Sequence, residues 1–495
     1  MPNGDLSKKL TLPTLILMIF TSVFGFTNIP RSFYLMGYSA IPWYILSALT
    51  FFIPFAFMMA EYGSAFKNEK GGIYSWMSRS VGPRYAFIGT FMWYASYIIW
   101  MVNISSVIWI PLSNGIFGRD TTSTWSLLGL NSTQTLGLLG ILWILAVTYI
   151  ASRGLRQITK ITSVGGTAVA VLNIVLLVGA LLVFAASGGS VAEPITSGSF
   201  VSSPNPGYYS LLSVFSFLVF AVFAYGGIEV AAGLVDETEH PERNYPRGIT
   251  IAAVIIAVGY SLGIFLCGIF TNWSGTLSGK DVHMGNVAYV LMKNLGYQIG
   301  VSFGLSGAVS ITVGEWVARL VGLSMFLALT GAFFTLTYAP LKQIIEGTPS
   351  GLWPGRFGEV KDGIPSFGMW VQCIVVILFI LLLTFGGEAA AQFFNKLILM
   401  TNVAMTVPYL FISGAFAAFK KKNDIQKPFE IFKSYSSSLA AAVIVTLTVG
   451  FANVFTIIEP ATKGDLSSTI WMLVGPIIFS IAAVIMYSSY ERKNK

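Results

Sequence analysis

Charge is what this chain has least of. Only 10% of its 495 residues are Asp, Glu, Lys or Arg, against about 25% in a soluble domain. That excludes an ordinary water-facing surface. Histidine and cysteine number two each. His240 and His283 are too few for a zinc site. Cys267 and Cys373 both lie in apolar runs, which excludes a disulfide framework or a redox motif. No Walker sequence, nucleotide loop or nucleophile–base cluster occurs, so ATP-driven transport and hydrolysis lack their machinery. No metal and no cofactor are expected. A small-residue cleavage site is missing after Leu10–Phe20, so the first apolar stretch reads as a retained span rather than a signal peptide. The N-x-Ser/Thr matches at Asn103 and Asn131 are uninformative, Asn103 lying inside a span.

What remains is apolar. Hydrophobic residues make up 55% of the chain and the mean hydropathy is +0.73, the composition of an all-α polytopic membrane protein. A crossing needs about 20 mostly apolar residues. The runs predict twelve transmembrane helices: 12–36, 41–61, 83–113, 134–152, 158–187, 208–233, 248–271, 310–344, 367–386, 390–419, 436–458 and 467–489. The third and eighth are long enough to tilt. No loop can hold a soluble domain, so residues 1–495 read as a single membrane domain. In the long segment before span eight, Asn286–Gly296 has helical spacing and reads as a cap on one mouth.

Lys and Arg choose the orientation. The two termini and the loops on their side carry 22 of the 29 basic residues, Lys8, Lys9, Lys67, Lys70, Arg153 and Lys420 among them. The opposite loops hold Arg119, Lys280, Lys293 and Lys463. Both termini are therefore expected in the cytoplasm. The net charge of +8 reflects that face and implies no nucleic-acid partner.

Two spans are interrupted. In "FTSVFGFTNIPRSFY", Phe20 to Tyr34, an apolar helix meets Gly25, Asn28, Pro30 and then Arg31. In span six, Gly226–Gly227 interrupts the run and Glu229 follows at once. Bare backbone in lipid costs several kcal/mol per polar group, so such breaks persist only against protein or a wet cavity. There the start of a half-helix attracts an anion and freed carbonyls hold a cation. A zwitterionic amino acid offers both charges. Breaks at corresponding positions five spans apart point to a transporter site formed by two inverted repeats.

At these residues the chain resembles the amino acid–polyamine–organocation (APC) superfamily. Ala60–Tyr94, "AEYGSAFKNEKGGIYSWMSRSVGPRYAFIGTFMWY", is similar to that family's Glu, apolar turn and Gly-Gly-x-Tyr. Tyr225–Ile249, "YGGIEVAAGLVDETEHPERNYPRGI", is similar to its Gly-x-Glu, acidic pair and Asn-Pro-x-Arg-x-x-Pro-x-Ile, with His240 in place of the Asn. Ala339–Val360, "APLKQIIEGTPSGLWPGRFGEV", resembles a third block. The likeness is greatest to glutamate/GABA-antiporter-type members. It implies a LeuT-like 5+5 inverted repeat, spans one to five (12–187) and six to ten (208–419), plus two extra helices (436–489). It further implies uptake or exchange of amino acids in a bacterial inner membrane, by a monomer or homodimer. Two departures stand out. Val23-Phe24-Gly25 replaces the Gly-Ser/Ala-Gly of many relatives, and Asn173 stands where some proton-coupled relatives place Lys.

The expected substrate-binding residues are Val23, Phe24, Gly25, Arg31, Phe223, Tyr225, Gly226 and Gly227. Glu229, desolvated beside the second break, is the candidate proton carrier, the alternative being a structural hydrogen bond. Phe223, Trp93, Tyr97 and Phe333 are candidate gates, against the ordinary role of aromatics as packing. Arg31 either contacts substrate or pairs with Glu229 or Glu388. Lys396 reads as snorkelling outward. Asp236, Glu237, Glu239 and Glu242 are expected to pair with Arg79, Arg84 or Arg153. The substrate class is acidic or neutral amino acids. A channel, a transporter-like receptor and an intramembrane enzyme are the rivals, none with motifs of its own in these spans.

Overall fold

The computed structural model describes residues 9–494; Lys8 and Lys495, counted above on the basic side, lie outside them. Among the described residues there is no strand longer than an isolated bridge, and eleven helices are long and apolar enough to cross a membrane. The first expected span is two pieces. Leu12–Val23 is entered through Pro13, where a missing N–H costs nothing. It stops where Phe24 turns extended, with φ −82° and ψ 96°. The chain resumes as Asn28–Met36 and ends at Gly37 in a left-handed conformation, φ 56°. The sixth expected span is also two pieces. Leu211–Phe223, capped by the Ser210 hydroxyl, gives way to the tight 3₁₀ segment Ile228–Leu234.

A third interruption was not anticipated. The expected tenth span divides into Gly387–Ala404 and Val407–Lys421. Pro408 has no N–H for the carbonyl of Ala404 and its ring crowds that turn, so the helix parts there. Pro54 acts more mildly. The helix between Ala40 and Ala65 stays continuous and absorbs the lost bond as a π segment over Ala48–Phe52.

The 41-residue helix Gly307–Gly347 is the centre of the bundle. It packs on Leu155–Ala186, Trp109–Phe117 and both broken regions, and 67% of its most apolar stretch is buried, against 17% for Leu466–Lys493 at the rim. That outer helix presents Ile470, Ile477, Ile481 and Ile485 outward, a face suited only to an apolar medium. The helical spacing of Asn286–Gly296 is borne out, since Val287–Gly296 forms most of the helix Val287–Ser302.

The three motif blocks converge on the side that carries the termini. Gln343, fully buried, accepts from the Ile73 N–H at 2.9 Å and donates to the Val230 carbonyl at 3.3 Å. Its neighbour Lys342, also fully buried, reaches Asp236 at 2.8 Å, Glu237 at 3.0 Å and Glu346 at 3.8 Å. Burial pushes the Asp236 carboxyl up, with Lys342 opposing. Leu10 adds a bridge to Thr238, its N–H donating to the Glu237 carbonyl at 2.7 Å. Glu61 holds Lys420 at 2.9 Å and accepts from the Ile431 and Phe432 N–H groups.

These contacts correct the expected acidic pairs. Asp236 and Glu237 take Lys342, and Glu242 takes Lys67 at 3.6 Å. Arg79 goes to Glu69 instead, and Arg84 to the Ser488 hydroxyl. The buried cation on the central helix outcompetes exposed arginines because it has no water to fall back on.

Removing that cation strands three carboxylates. Lys342→Met is expected to cost about 3 kcal/mol, the scale for breaking a buried pair, and to lower the thermal unfolding midpoint of the detergent-purified protein. Adding Asp236→Asn should restore part of the loss. A single variant as stable as the parent would show that the cluster holds nothing together.

Candidate functional site

A helix that stops inside a bundle leaves carbonyls at one end and N–H groups at the next start. One side chain serves both breaks. Tyr260, in the middle of Pro241–Phe270 and fully buried, places its hydroxyl between them. It accepts from the Gly25 N–H at 2.9 Å and from Asn28 Nδ2 at 3.3 Å. Its proton faces the Ala224 carbonyl at 3.1 Å, with the Val23 carbonyl at 3.4 Å. The ring stacks on Phe24 at 4.5 Å and abuts Tyr44 and Tyr225. The Ser22 carbonyl and the Phe26 and Thr27 N–H groups gain no partner among the described residues.

The second break is held from two further helices. Gly227 is left-handed, φ 115°, and its N–H donates to the Tyr409 hydroxyl at 2.9 Å and to Glu229 Oε2 at 3.1 Å. Tyr409 belongs to the third interrupted helix. A Cβ on Gly227 would lie 2.5 Å from the Ser22 carbonyl oxygen, so only glycine lets the two breaks touch. Glu229 is fully buried, and its Oε1 accepts from Trp93 Nε1 at 3.0 Å and the Tyr97 hydroxyl at 3.2 Å. With the Gly227 N–H, three donors converge on one carboxylate. This meets the requirement that a buried carboxylate be satisfied.

Between the breaks lies a cavity of about 450 Å³, within the range of small-molecule sites, about 300–1,000 Å³. Val23, Phe24, Gly25, Phe223, Gly226, Gly227 and Tyr97 line it, as do Ser22, Asn28, Asn103, Thr401, Asn402, Thr406 and Tyr409. No lining residue is charged. The wall borders the exposed carbonyl end of Leu12–Val23 and the N-terminal end of Asn28–Met36, so it offers poles of both signs.

Five expected site residues stand elsewhere. Glu229 and Trp93 sit behind the wall, positioning Tyr97 and Gly227. Tyr225 is buried against Phe52 at 4.7 Å and donates to the Tyr44 carbonyl. Phe333 is wedged between Trp100 and Trp143. Arg31 corrects the expectation of an acidic partner. Its Nε donates to the Met284 carbonyl at 3.0 Å, while Glu388 is exposed and bonds to Gln392. At the N-terminal end of Asn28–Met36 the guanidinium points up to the loop instead of down to the break. Asn173 bonds back to the Val169 carbonyl of its own helix, and Lys396 lies over the Trp471 ring at 5.2 Å.

Sequence reasoning missed Tyr260, Tyr409 and the Thr401–Thr406 stretch, and it met Asn28 and Asn103 without placing them at the cavity. Tyr260 gives no local signal, being one polar tip in an apolar run. "TNVAMTVPYL", Thr401 to Leu410, does give one. Two threonines, an Asn and a Pro in an apolar span mark a breaker.

A family model described as amino acid permease matches residues 10–484. The inner membrane transporter YjeM of Salmonella typhimurium is 56% identical over 488 residues, which cover 98% of this chain and 97% of that protein. More distantly, the aspartate/glutamate permease AcaP of Lactococcus lactis subsp. cremoris is 26% identical over 414 residues, 83% of this chain and 79% of that protein. A glutamate/gamma-aminobutyrate antiporter of Lactococcus lactis subsp. lactis is 24% identical over 488 residues, 96% and 91% of the two chains. These findings agree with the likeness carried by the motif blocks.

Tyr260→Phe keeps the ring and removes the hydroxyl that both breaks share. Stranding the Gly25 N–H and the Ala224 carbonyl should cost about 1–3 kcal/mol, seen as a lowered unfolding midpoint in detergent. Gly227→Ala should be worse, because it adds a backbone clash to a strained φ. Midpoints unchanged in both variants would mean that the breaks are held by something other than this hydroxyl and this contact.

Proposed function

Because the chain belongs to the amino acid permease family, within the APC superfamily, we propose that it is a secondary active transporter of amino acids working by alternating access at the two facing breaks. The observation that carries this reading is their contact. Interruptions far apart in sequence touch at Ser22 and Gly227 and border one uncharged cavity. Members of this family are permeases rather than enzymes. In this reading Leu12–Val23 and Asn28–Met36 form one interrupted crossing, giving twelve. Residues 12–187 and 208–419 are the inverted five-helix repeats of a LeuT-like domain, and 436–489 are accessory. The chain lies in a bacterial inner membrane, a location in keeping with the names of the 56%-identical inner membrane transporters, and its basic loops and both termini face the cytoplasm.

The transport geometry follows from the helix ends. The substrate carboxylate lies toward the N-terminal end of Asn28–Met36, and its ammonium toward the carbonyls that end Leu12–Val23. Asn103, Thr401 and Asn402 face its side chain. A charged side chain taken out of bulk water needs a partner once the site closes over it, and the lining has none. Neutral polar amino acids therefore fit better than acidic ones, although two distant relatives carry glutamate in their names. The cavity lies beside Asn28, Asn103 and Met325, in the halves of their helices remote from the termini. The Lys342 cluster and the Leu10 bridge close the opposite side. The described state is thus read as outward-facing, with the latch opening to release substrate inward, in exchange for another amino acid or alone.

Counterflow in proteoliposomes tests this. Saturable uptake that is accelerated by unlabelled amino acid inside supports a carrier, and non-saturating flux without counterflow would establish a channel. Glutamine, serine or threonine should compete better than glutamate or aspartate. Asn402→Leu should weaken the preferred substrate about tenfold, the scale of one lost hydrogen bond. Best competition by an acidic amino acid would overturn the neutral class.

Full burial beside the cavity favours a second role for Glu229, as proton carrier. The two roles separate in Glu229→Gln. An amide must turn its NH₂ toward either Trp93 Nε1 or the Gly227 N–H, each a donor that cannot accept, so a brace predicts lower stability and reduced uptake at every pH. A carrier predicts intact stability and a flat pH profile.

A further inference from the structure

A second cavity, of about 590 Å³, lies away from the breaks, among the helices Ser132–Ala151, Leu155–Ala186 and Gly307–Gly347. One wall is apolar, formed by Ile161, Val164 and Leu327, and Val164 is 47% exposed there, so the cavity opens sideways to the membrane. Its rim on the basic side is formed by Tyr149, Arg153 and Lys160. The Arg153 guanidinium is pre-set. It lies 4.4 Å over the Tyr149 ring and donates to that hydroxyl. The rest of the rim's charge is uncompensated. No carboxylate stands within ion-pairing distance of Arg153, Arg156 or Lys160 among the described residues. The sequence has no Asp or Glu between Asp120 and Glu193. The positive end of the 32-residue helix Leu155–Ala186 adds to the same field.

Surface lysines and arginines are ordinarily just solvated. Here two of them rim a laterally open apolar cavity, and that combination has the shape of one ligand class. Basic pockets between transmembrane helices on the cytoplasmic side bind anionic headgroups. Without a carboxylate, the rim has nothing to hold the ammonium of a zwitterionic headgroup. We propose that this cavity binds one anionic phospholipid, with its phosphate on Arg153 and Lys160 and an acyl chain along Ile161, Val164 and Leu327. The site adjoins Thr162, whose carbonyl accepts from Thr21 at 3.2 Å and whose hydroxyl reaches the Gly331 carbonyl at 3.0 Å. The lipid thus lies one residue from a contact of the first half-helix.

Native mass spectrometry of the delipidated full chain in detergent decides it, with phosphatidylglycerol, phosphatidylcholine and inorganic phosphate as separate probes. Phosphatidylglycerol should be retained as one tightly bound molecule and phosphatidylcholine should not. At ~1 kcal/mol per basic side chain at a lipid surface, the double variant R153Q/K160Q should bind phosphatidylglycerol on the order of thirtyfold more weakly. Val164→Trp, which fills the apolar wall and keeps both charges, should also lose the lipid. K421Q/K422Q, which removes two basic residues elsewhere on the same side, should bind as the parent does. Val164→Trp carries the decision if the double variant fails to fold. The proposal falls if phosphatidylcholine binds as tightly. It falls equally if K421Q/K422Q loses as much as R153Q/K160Q, if Val164→Trp binds normally, or if inorganic phosphate displaces the lipid.

Discussion

Everything near the cavity depends on satisfying backbone that has left its helix without water to bond to. In an apolar medium each bare N–H or C=O costs several kcal/mol, so a break is possible only where other elements supply partners. Tyr260 supplies them to both breaks with one hydroxyl, Tyr409 to the second, and Glu229 closes the ring through Gly227, Trp93 and Tyr97. These groups come from four different helices. The unwound segments are therefore as tightly specified as the helices around them.

The same reasoning explains why the two breaks tolerate different residues. At the first, only Gly25 is a glycine. Phe24 finds a stacking surface on Tyr260 and Phe20, and Val23 is buried in the core. A Cβ on Gly25 would meet only the movable Asn28 amide. At the second, Gly227 faces a backbone carbonyl, which cannot move aside. The need for glycine lies at the point of backbone contact, and a single such point is enough to bring the breaks together.

The residues of the three motif blocks serve mainly the side that carries the termini. Lys342 and Gln343 of the third block grip the second block, Gln343 reaches the first, and Glu61 anchors the segment around Ile431. Apart from Gly226 and Gly227 of the second block, the cavity wall uses other residues, Asn103, Thr401, Asn402 and Tyr409 among them. Contacts that hold the terminus-bearing side together are thus largely separate from the side chains that line the cavity.

The sequence by itself determined the membrane class, the apolar runs, the basic asymmetry and the first two breaks, because each is a local property of composition or of Gly and Pro chemistry. Even the third break was written in Thr406 and Pro408, although it was not read. What only the tertiary structure decided was which polar groups meet. Arg31 lies three residues from Asn28, yet its guanidinium turns to Met284 and not to the cavity. Glu229 follows the second break at once, yet stands behind the wall. Asp236 and Glu237 sought a cation and found Lys342, about a hundred residues away, instead of the expected arginines. Partner choice among buried polar groups depends on distances of a few tenths of an ångström between helices remote in sequence. No spacing along one chain encodes where Tyr260 will place its hydroxyl.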